Sequence, residues 1–135
     1  ILAQADHRIY TAAVLPNLQR LIECSGLLQI NSVEVASLLS VLARRAEHYG
    51  TPIIAMQLAK RVLEIHQSLG SNRDDLAAAQ LLVGSCYIDT GELDKALEHL
   101  ESACKWWITS PTRNPHTVAR TLDLIGYIHL KNYAY

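Results

Sequence analysis

The sequence has no phenylalanine and no excess of charge of either sign. Leucine, isoleucine, valine and alanine supply most of its apolar half, a set that suits helices better than a β-sandwich. A chain of 135 residues with this composition is long enough for one domain with its own core. The 12 basic and 13 acidic residues nearly cancel. Because nucleic acid and anionic lipid are held by clustered basic residues, neither is expected as a partner.

Cysteine is also scarce. The three cysteines, Cys24, Cys86 and Cys104, are widely spaced and form no CxxC pair. A zinc ribbon or redox motif is therefore not expected, and scattered cysteines among apolar residues are typical of a reducing, cytoplasmic location. The longest run without charge, residues 76–88, is shorter than the roughly 20 apolar residues of a membrane span. Residues 1–8 lack a signal-peptide pattern. Without an initiator Met, the chain is expected to be a piece of a longer protein.

Glycine, proline and capping residues divide the chain into helices, and no strand-like alternation is present. Helices are predicted over residues 32–49, 52–69, 72–90, 92–107 and 115–131, with two weaker ones over 4–14 and 17–28. The predicted N-caps are Asn31, Thr51, Asn72 and Asn114, and the predicted terminators are Gly50, Gly70 and Gly91. The short connections predict that neighbouring helices run antiparallel.

Small residues recur at a fixed period. Ala43, Gly84 and Gly126 stand 41 and 42 residues apart, and so do three alanines seven positions before them. A closed bundle has no reason to keep such a period, whereas a stack of helix pairs does, because each pair buries the same face against the next. The small residues are expected where the two helices of a pair cross closely.

The central repeat carries a recognisable motif. Its positions are Val83, Gly84, Tyr87, Gly91, Leu93 and Ala96, followed by Ala103. This pattern resembles the tetratricopeptide repeat signature, and the longer period is similar to the 42-residue variety of kinesin light chains. The resemblance implies an all-α fold in which antiparallel helix pairs stack as a right-handed superhelical solenoid. Residues 1–135 then form one domain, with repeats at about 1–30 (degenerate), 32–70, 73–110 and 115–135 (truncated).

The same resemblance implies a binding groove lined by the first helix of each pair. By position, the groove residues are Ser37, Ser40, Arg44, Glu47, His48, Leu81, Ser85, Ile88, Asp89, Arg120, Asp123, Tyr127 and Lys131. Two arginines, Arg44 and Arg120, are suited to a carboxylate, and Leu81 and Ile88 offer an apolar floor. The expected function is that of a non-catalytic scaffold or adaptor. Its expected partner is a protein or peptide with an apolar anchor and an acidic group.

Catalytic and metal motifs do not appear in the sequence. The six histidines form no HExxH pair, and GxSxG, P-loop and GxGxxG patterns are absent. An enzyme, a metal site and a cofactor are therefore not expected. Two other functions remain open at this point. Residues 32–36 are similar to the C-terminal helical modules of SET–MYND methyltransferases, which indicates an accessory region of an enzyme. Exposed apolar repeat ends indicate a self-association module.

The dipeptide Trp106-Trp107 is unusual. Adjacent residues on a helix point about 100° apart, so both rings cannot face one core. We expect one ring to be buried and the other to cover the loop at Pro111. The alternative is an exposed aromatic anchor for a partner.

Overall fold

The computed structural model describes residues 17, 20, 23–24, 32–70, 72–110 and 115–133. Five helices are described over their whole length: α1 (Val33–His48), α2 (Pro52–Leu69), α3 (Arg73–Thr90), α4 (Leu93–Thr109) and α5 (Pro115–Asn132). No strand occurs in this part of the chain, so the all-α prediction is confirmed. The weaker helices predicted before residue 31 fall largely outside it. None of the five helices is long and apolar enough to cross a membrane.

The helix starts follow capping chemistry, with one correction. At α3, the Asn72 side chain accepts a hydrogen bond from the Asp75 backbone N–H at 2.9 Å, as predicted. At α1, the N-cap is Ser32, whose hydroxyl accepts from the Val35 backbone N–H at 3.2 Å. The prediction of Asn31 was wrong by one position. Asn and Ser both cap helices well, and Ser32 has the extended backbone (φ −141°) that an N-cap residue adopts.

Three glycines make the tight turns after the first three helices. Gly50, Gly70 and Gly91 have φ values of 76°, 61° and 85°, in the left-handed region that side chains disfavour. Turns this short bring each helix back alongside the one before it, so neighbouring helices run antiparallel.

The helices pack in sequence order. Each contacts the helix before it and the helix after it, and α1 also contacts α3, as α3 contacts α5. Among these five helices, those more than two apart share no extensive contact. Leu39, Leu58, Ile65, Leu100 and Ile128 are completely buried in the largest core cluster. The core therefore extends along the row of helices.

At Gly84, α3 and α4 pack closely. A Cβ atom at this position would lie 2.8 Å from the Leu100 side chain and 3.4 Å from the Ala96 carbonyl oxygen. The small residue expected at a helix crossing is therefore confirmed here. Ala43 is likewise completely buried. Gly126 differs, because no atom lies within 4 Å of its Cβ position in the described part of the chain. Within the described residues no other helix covers that side of α5, so no close crossing is seen at Gly126.

Candidate functional site

Residues predicted to line the groove on α1 and α3 come together near the ends of these helices. The Ser85 hydroxyl donates a hydrogen bond to Glu47 Oε2 at 2.9 Å, across 38 residues of sequence. Cys86 and Asp89 lie close enough to change the pKa of the Glu47 carboxyl. We call these four residues the Glu47 cluster. The cluster joins the last turns of α1 to the second half of α3. Since each helix turns back along the one before it, α1 and α3 run in the same direction.

The second oxygen of Glu47 has unused hydrogen-bonding capacity. Glu47 Oε1 is buried and accepts no hydrogen bond of good geometry from the described residues. Burial raises the pKa of Glu47, and the charge of Asp89 adds to this rise, while hydrogen bonds from Ser85 and Cys86 oppose it.

Cys86 belongs to this cluster, although its sequence pattern indicated only a core residue. Its side chain is completely buried, and burial together with the negative charge of Glu47 raises the pKa of the thiol. The thiol therefore stays protonated at neutral pH and can donate a hydrogen bond. Because only the thiolate is a good nucleophile, the protonated sulfur is a poor one. No sequence signal links Cys86 to Glu47, since their proximity depends on how α3 packs against α1.

The remaining predicted residues of α1 lie along its exposed side. Ser37 is exposed, and Ser40 is half-buried with its hydroxyl donating to the Ala36 carbonyl oxygen at 2.9 Å. Arg44 and His48 are exposed and line a shallow hollow of about 370 Å³. The other residues lining it are Val41, Arg45 and Tyr49. This hollow therefore combines guanidinium groups with an apolar side chain.

On α3, the predicted groove residues are less accessible than expected. Ser85 is buried, with 7% of its surface exposed, and its hydroxyl is used by Glu47. Leu81 and Ile88 are half-buried and pack against the main core. Asp89 alone of the predicted α3 residues is exposed.

The four predicted residues of α5 are all exposed: Arg120, Asp123, Tyr127 and Lys131. The Lys131 ammonium nitrogen lies 5.7 Å from the centre of the Tyr127 ring, a cation–π distance. Within the described residues, no hydrogen bond or ion pair joins this set to the Glu47 cluster. The structure therefore brings together the α1 and α3 residues, while the four α5 residues are exposed and make no such bond to them within the described part of the chain.

The two tryptophans have different environments, as predicted. Trp107 is buried, with 6% of its surface exposed. Trp106 is half-buried, and its indole N–H donates to Asp74 Oδ1 at 2.6 Å while the Arg73 guanidinium lies 5.6 Å from its ring centre. Trp106 thus ties the end of α4 to the start of α3. The loop at Pro111, which it was expected to cover, lies outside the described residues.

In residues 32–70, 72–110 and 115–133, with 17, 20 and 23–24, no three His, Cys, Asp or Glu side chains converge as metal ligands do. Comparison with protein-family models, with curated proteins and with solved structures finds no match to this chain. The resemblance to tetratricopeptide repeats therefore rests on the motif over residues 83–103 and on the order of helix packing.

Proposed function

We propose that this chain is a protein–protein interaction scaffold of the tetratricopeptide type, in which stacked helix pairs present α1, α3 and α5 to a partner segment. One observation carries the proposal. The Ser85–Glu47 hydrogen bond joins two successive first helices along the side that the resemblance assigns to the groove. Packing in sequence order supports it further, because such packing leaves one side of every second helix free for a ligand.

The chemistry of this surface favours a partner segment with two features. An acidic group fits Arg44 and Arg120, which are both exposed. An apolar anchor fits Val41, which is 52% exposed in the hollow beside Arg44, better than it fits the half-buried Leu81 and Ile88.

A peptide selection tests this function. The immobilised chain selects binders from a random peptide library, and the affinity of a selected peptide is measured by fluorescence anisotropy. Arg44→Glu and Arg120→Glu should each weaken binding at least about tenfold, or roughly 1.4 kcal/mol, since each variant places a negative charge beside the acidic group. Lys105→Glu is the matched control, because Lys105 is an exposed cation on α4, outside the proposed groove.

The selected peptides themselves give a second readout. We expect them to be enriched in acidic residues next to an apolar residue. Unchanged affinity in both arginine variants, together with an unchanged control, would reject the proposed groove.

A further inference from the structure

A pocket of about 350 Å³ lies between the first half of α3 and the second half of α4. The residues that line it are Arg73, Leu76, Ala77, Gln80, Ser102 and Trp106. Its three apolar members are buried or half-buried, whereas Arg73 and Ser102 are exposed and Gln80 is half-buried. This volume is at the small end of the range for small-molecule sites, roughly 300–1,000 Å³. We call it the Trp106 pocket.

Gln80 occupies a position that the other repeats give to leucine. It stands between Ala77, which packs with Ala103 and Trp107, and Gly84, on the side of α3 that crosses α4. Counting 41 residues back gives Leu39 of α1, and 42 forward gives Leu122 of α5. Leu39 is completely buried in the main core. The central repeat therefore has an amide where helix packing calls for a hydrocarbon side chain.

The α4 side of the pocket differs from the preceding repeat as well. Ser102 corresponds to Arg61 of α2, whose long side chain is only 12% exposed. The short serine side chain leaves that space open. Within the described residues, the side chains of Gln80 and Ser102 make no hydrogen bond and Arg73 makes no ion pair. The donors of all three side chains are therefore available to a ligand.

The indole wall of the pocket is held in place by its own contacts. The Trp106 N–H donates to Asp74 Oδ1 at 2.6 Å, and Asp74 also accepts from the Ser110 hydroxyl at 3.3 Å. The Arg73 guanidinium lies 5.6 Å from the ring centre. Asp74 lies at the N–H edge of the indole and is not among the residues that line the pocket. Among the described residues that do, Arg73 is the one charged group, so the pocket favours an anion.

We propose that the Trp106 pocket binds a small carboxylic acid with an apolar body. The guanidinium of Arg73 offers paired donors that match the two oxygens of a carboxylate. Gln80 and Ser102 add hydrogen-bond donors beside it, and the apolar wall covers the hydrocarbon part of the ligand. A cation would be repelled by Arg73. A wholly apolar ligand would cover the polar groups of the pocket without pairing them, which costs free energy.

Titration of the 135-residue chain with phenylbutyrate, followed by tryptophan fluorescence, tests the pocket. We expect a saturable change in emission, because the ligand contacts Trp106. Trp106→Phe should remove that change, since the remaining Trp107 is buried. Phenylbutyramide has the same apolar body without the charge, and it should bind at least about tenfold more weakly than the acid.

Replacement of Arg73 tests the role of the guanidinium. Arg73→Gln should weaken phenylbutyrate binding at least about tenfold and leave phenylbutyramide binding nearly unchanged, because only the acid uses the charge. Arg44→Glu, on α1, should leave the binding of both compounds unchanged. This inference is independent of the proposed groove, since Arg44→Glu should weaken peptide binding alone and Arg73→Gln should weaken phenylbutyrate binding alone.

Replacement of Gln80 tests whether the departure from the repeat serves the ligand. Gln80→Leu restores the residue of α1 and α5, so it should weaken phenylbutyrate binding at least about tenfold. The urea midpoint of this variant should be equal to or higher than that of the natural chain, which separates lost binding from unfolding. Gln57→Leu is the matched control, because Gln57 is exposed on α2 and should bind phenylbutyrate normally when replaced.

Three results would overturn this inference. They are an emission change that rises linearly with phenylbutyrate and never saturates, equal binding of the acid and its amide, and full affinity for the acid in either Arg73→Gln or Gln80→Leu. Circular dichroism checks that each variant keeps its helix content.

Discussion

At the scale of single residues, Gly84 and Gly126 occupy equivalent repeat positions with opposite surroundings. A Cβ at Gly84 would lie 2.8 Å from the side chain of Leu100, which is completely buried. Gly84→Ala should therefore lower the free energy of unfolding by about 1–3 kcal/mol, the usual cost of overpacking. Gly126→Ala should raise it by about 1 kcal/mol, because alanine is the better helix former and meets no atom there.

Urea denaturation of both variants measures this difference, at concentrations low enough to keep the chain monomeric. Gly84→Leu should be more destabilising than Gly84→Ala. Similar losses at the two glycines would contradict the contrast between a covered and an open side of the repeat.

A second prediction at this scale concerns the pH dependence caused by Glu47. Burial raises the pKa of this carboxyl, so folding favours its protonated form. The contribution of this carboxyl to the stability of the fold is therefore present at low pH, and it is lost as pH rises through the pKa of the folded state. Glu47→Gln should therefore raise the free energy of unfolding at neutral pH by about 1 kcal/mol, the low end of the cost of a buried unsatisfied polar atom.

Thermal denaturation at acidic and neutral pH checks the sign. Near the unfolded pKa of a glutamate and below it, Glu47→Gln and the natural chain should have similar stability. Glu101→Gln, at an exposed position on α4, should show no such pH dependence. A stabilisation by Glu47→Gln that is the same at both pH values would exclude charge as its cause.

At the scale of the helices, N-cap residues with and without a side-chain hydrogen bond should differ in how much stability is lost when they are replaced by alanine. The Asn72 side chain caps α3 with a hydrogen bond, whereas Glu92, the N-cap of α4, makes no side-chain cap. Asn72→Ala should therefore cost about 1 kcal/mol of stability. Glu92→Ala should cost only a few tenths of that, since it loses an exposed ion pair with Lys95 at 3.5 Å. Urea denaturation of both variants compares them, and equal losses would contradict the cap assignment.

The helix boundaries could be predicted because they depend on local chemistry. Pro52, the turn glycines and Asn72 act within one turn of their own position, so sequence alone places them. The end of α4 was predicted two residues early. The Thr109 hydroxyl bonds to the carbonyl oxygens of Lys105 and Trp106 at 3.0 and 3.2 Å, which accompanies an extra part-turn before the loop.

The Glu47 cluster and the burial of Ser85 could not be predicted in the same way. Ser85 and Glu47 are 38 residues apart, and their contact depends on the rotation of α3 relative to α1. Periodicity gives that rotation only when a helix has one apolar side. The buried residues of α3 run without interruption from Leu82 to Tyr87, so its sequence does not indicate which side faces a ligand.

At the scale of the whole molecule, burial is distributed unevenly along the row of helices. Eight residues of α2 are buried, whereas α5 has two, Thr121 and Ile128. Local opening requires less free energy where fewer side chains are buried. In dilute solution, amide hydrogens of α5 should therefore exchange at least about tenfold faster than those of α2, and mass spectrometry of deuterated peptides measures this. Equal protection of α2 and α5 in dilute solution would show that the buried side chains of α5 hold it more firmly than their number indicates.

Packing in sequence order has a consequence for how such a chain can change in length. Because helices more than two apart share no extensive contact, an inserted unit of about 41 residues meets only its immediate neighbours. The existing interfaces would supply both of its contacts. Duplication of α3 and α4 with their turns is therefore a route by which this protein could grow longer without a redesigned interior.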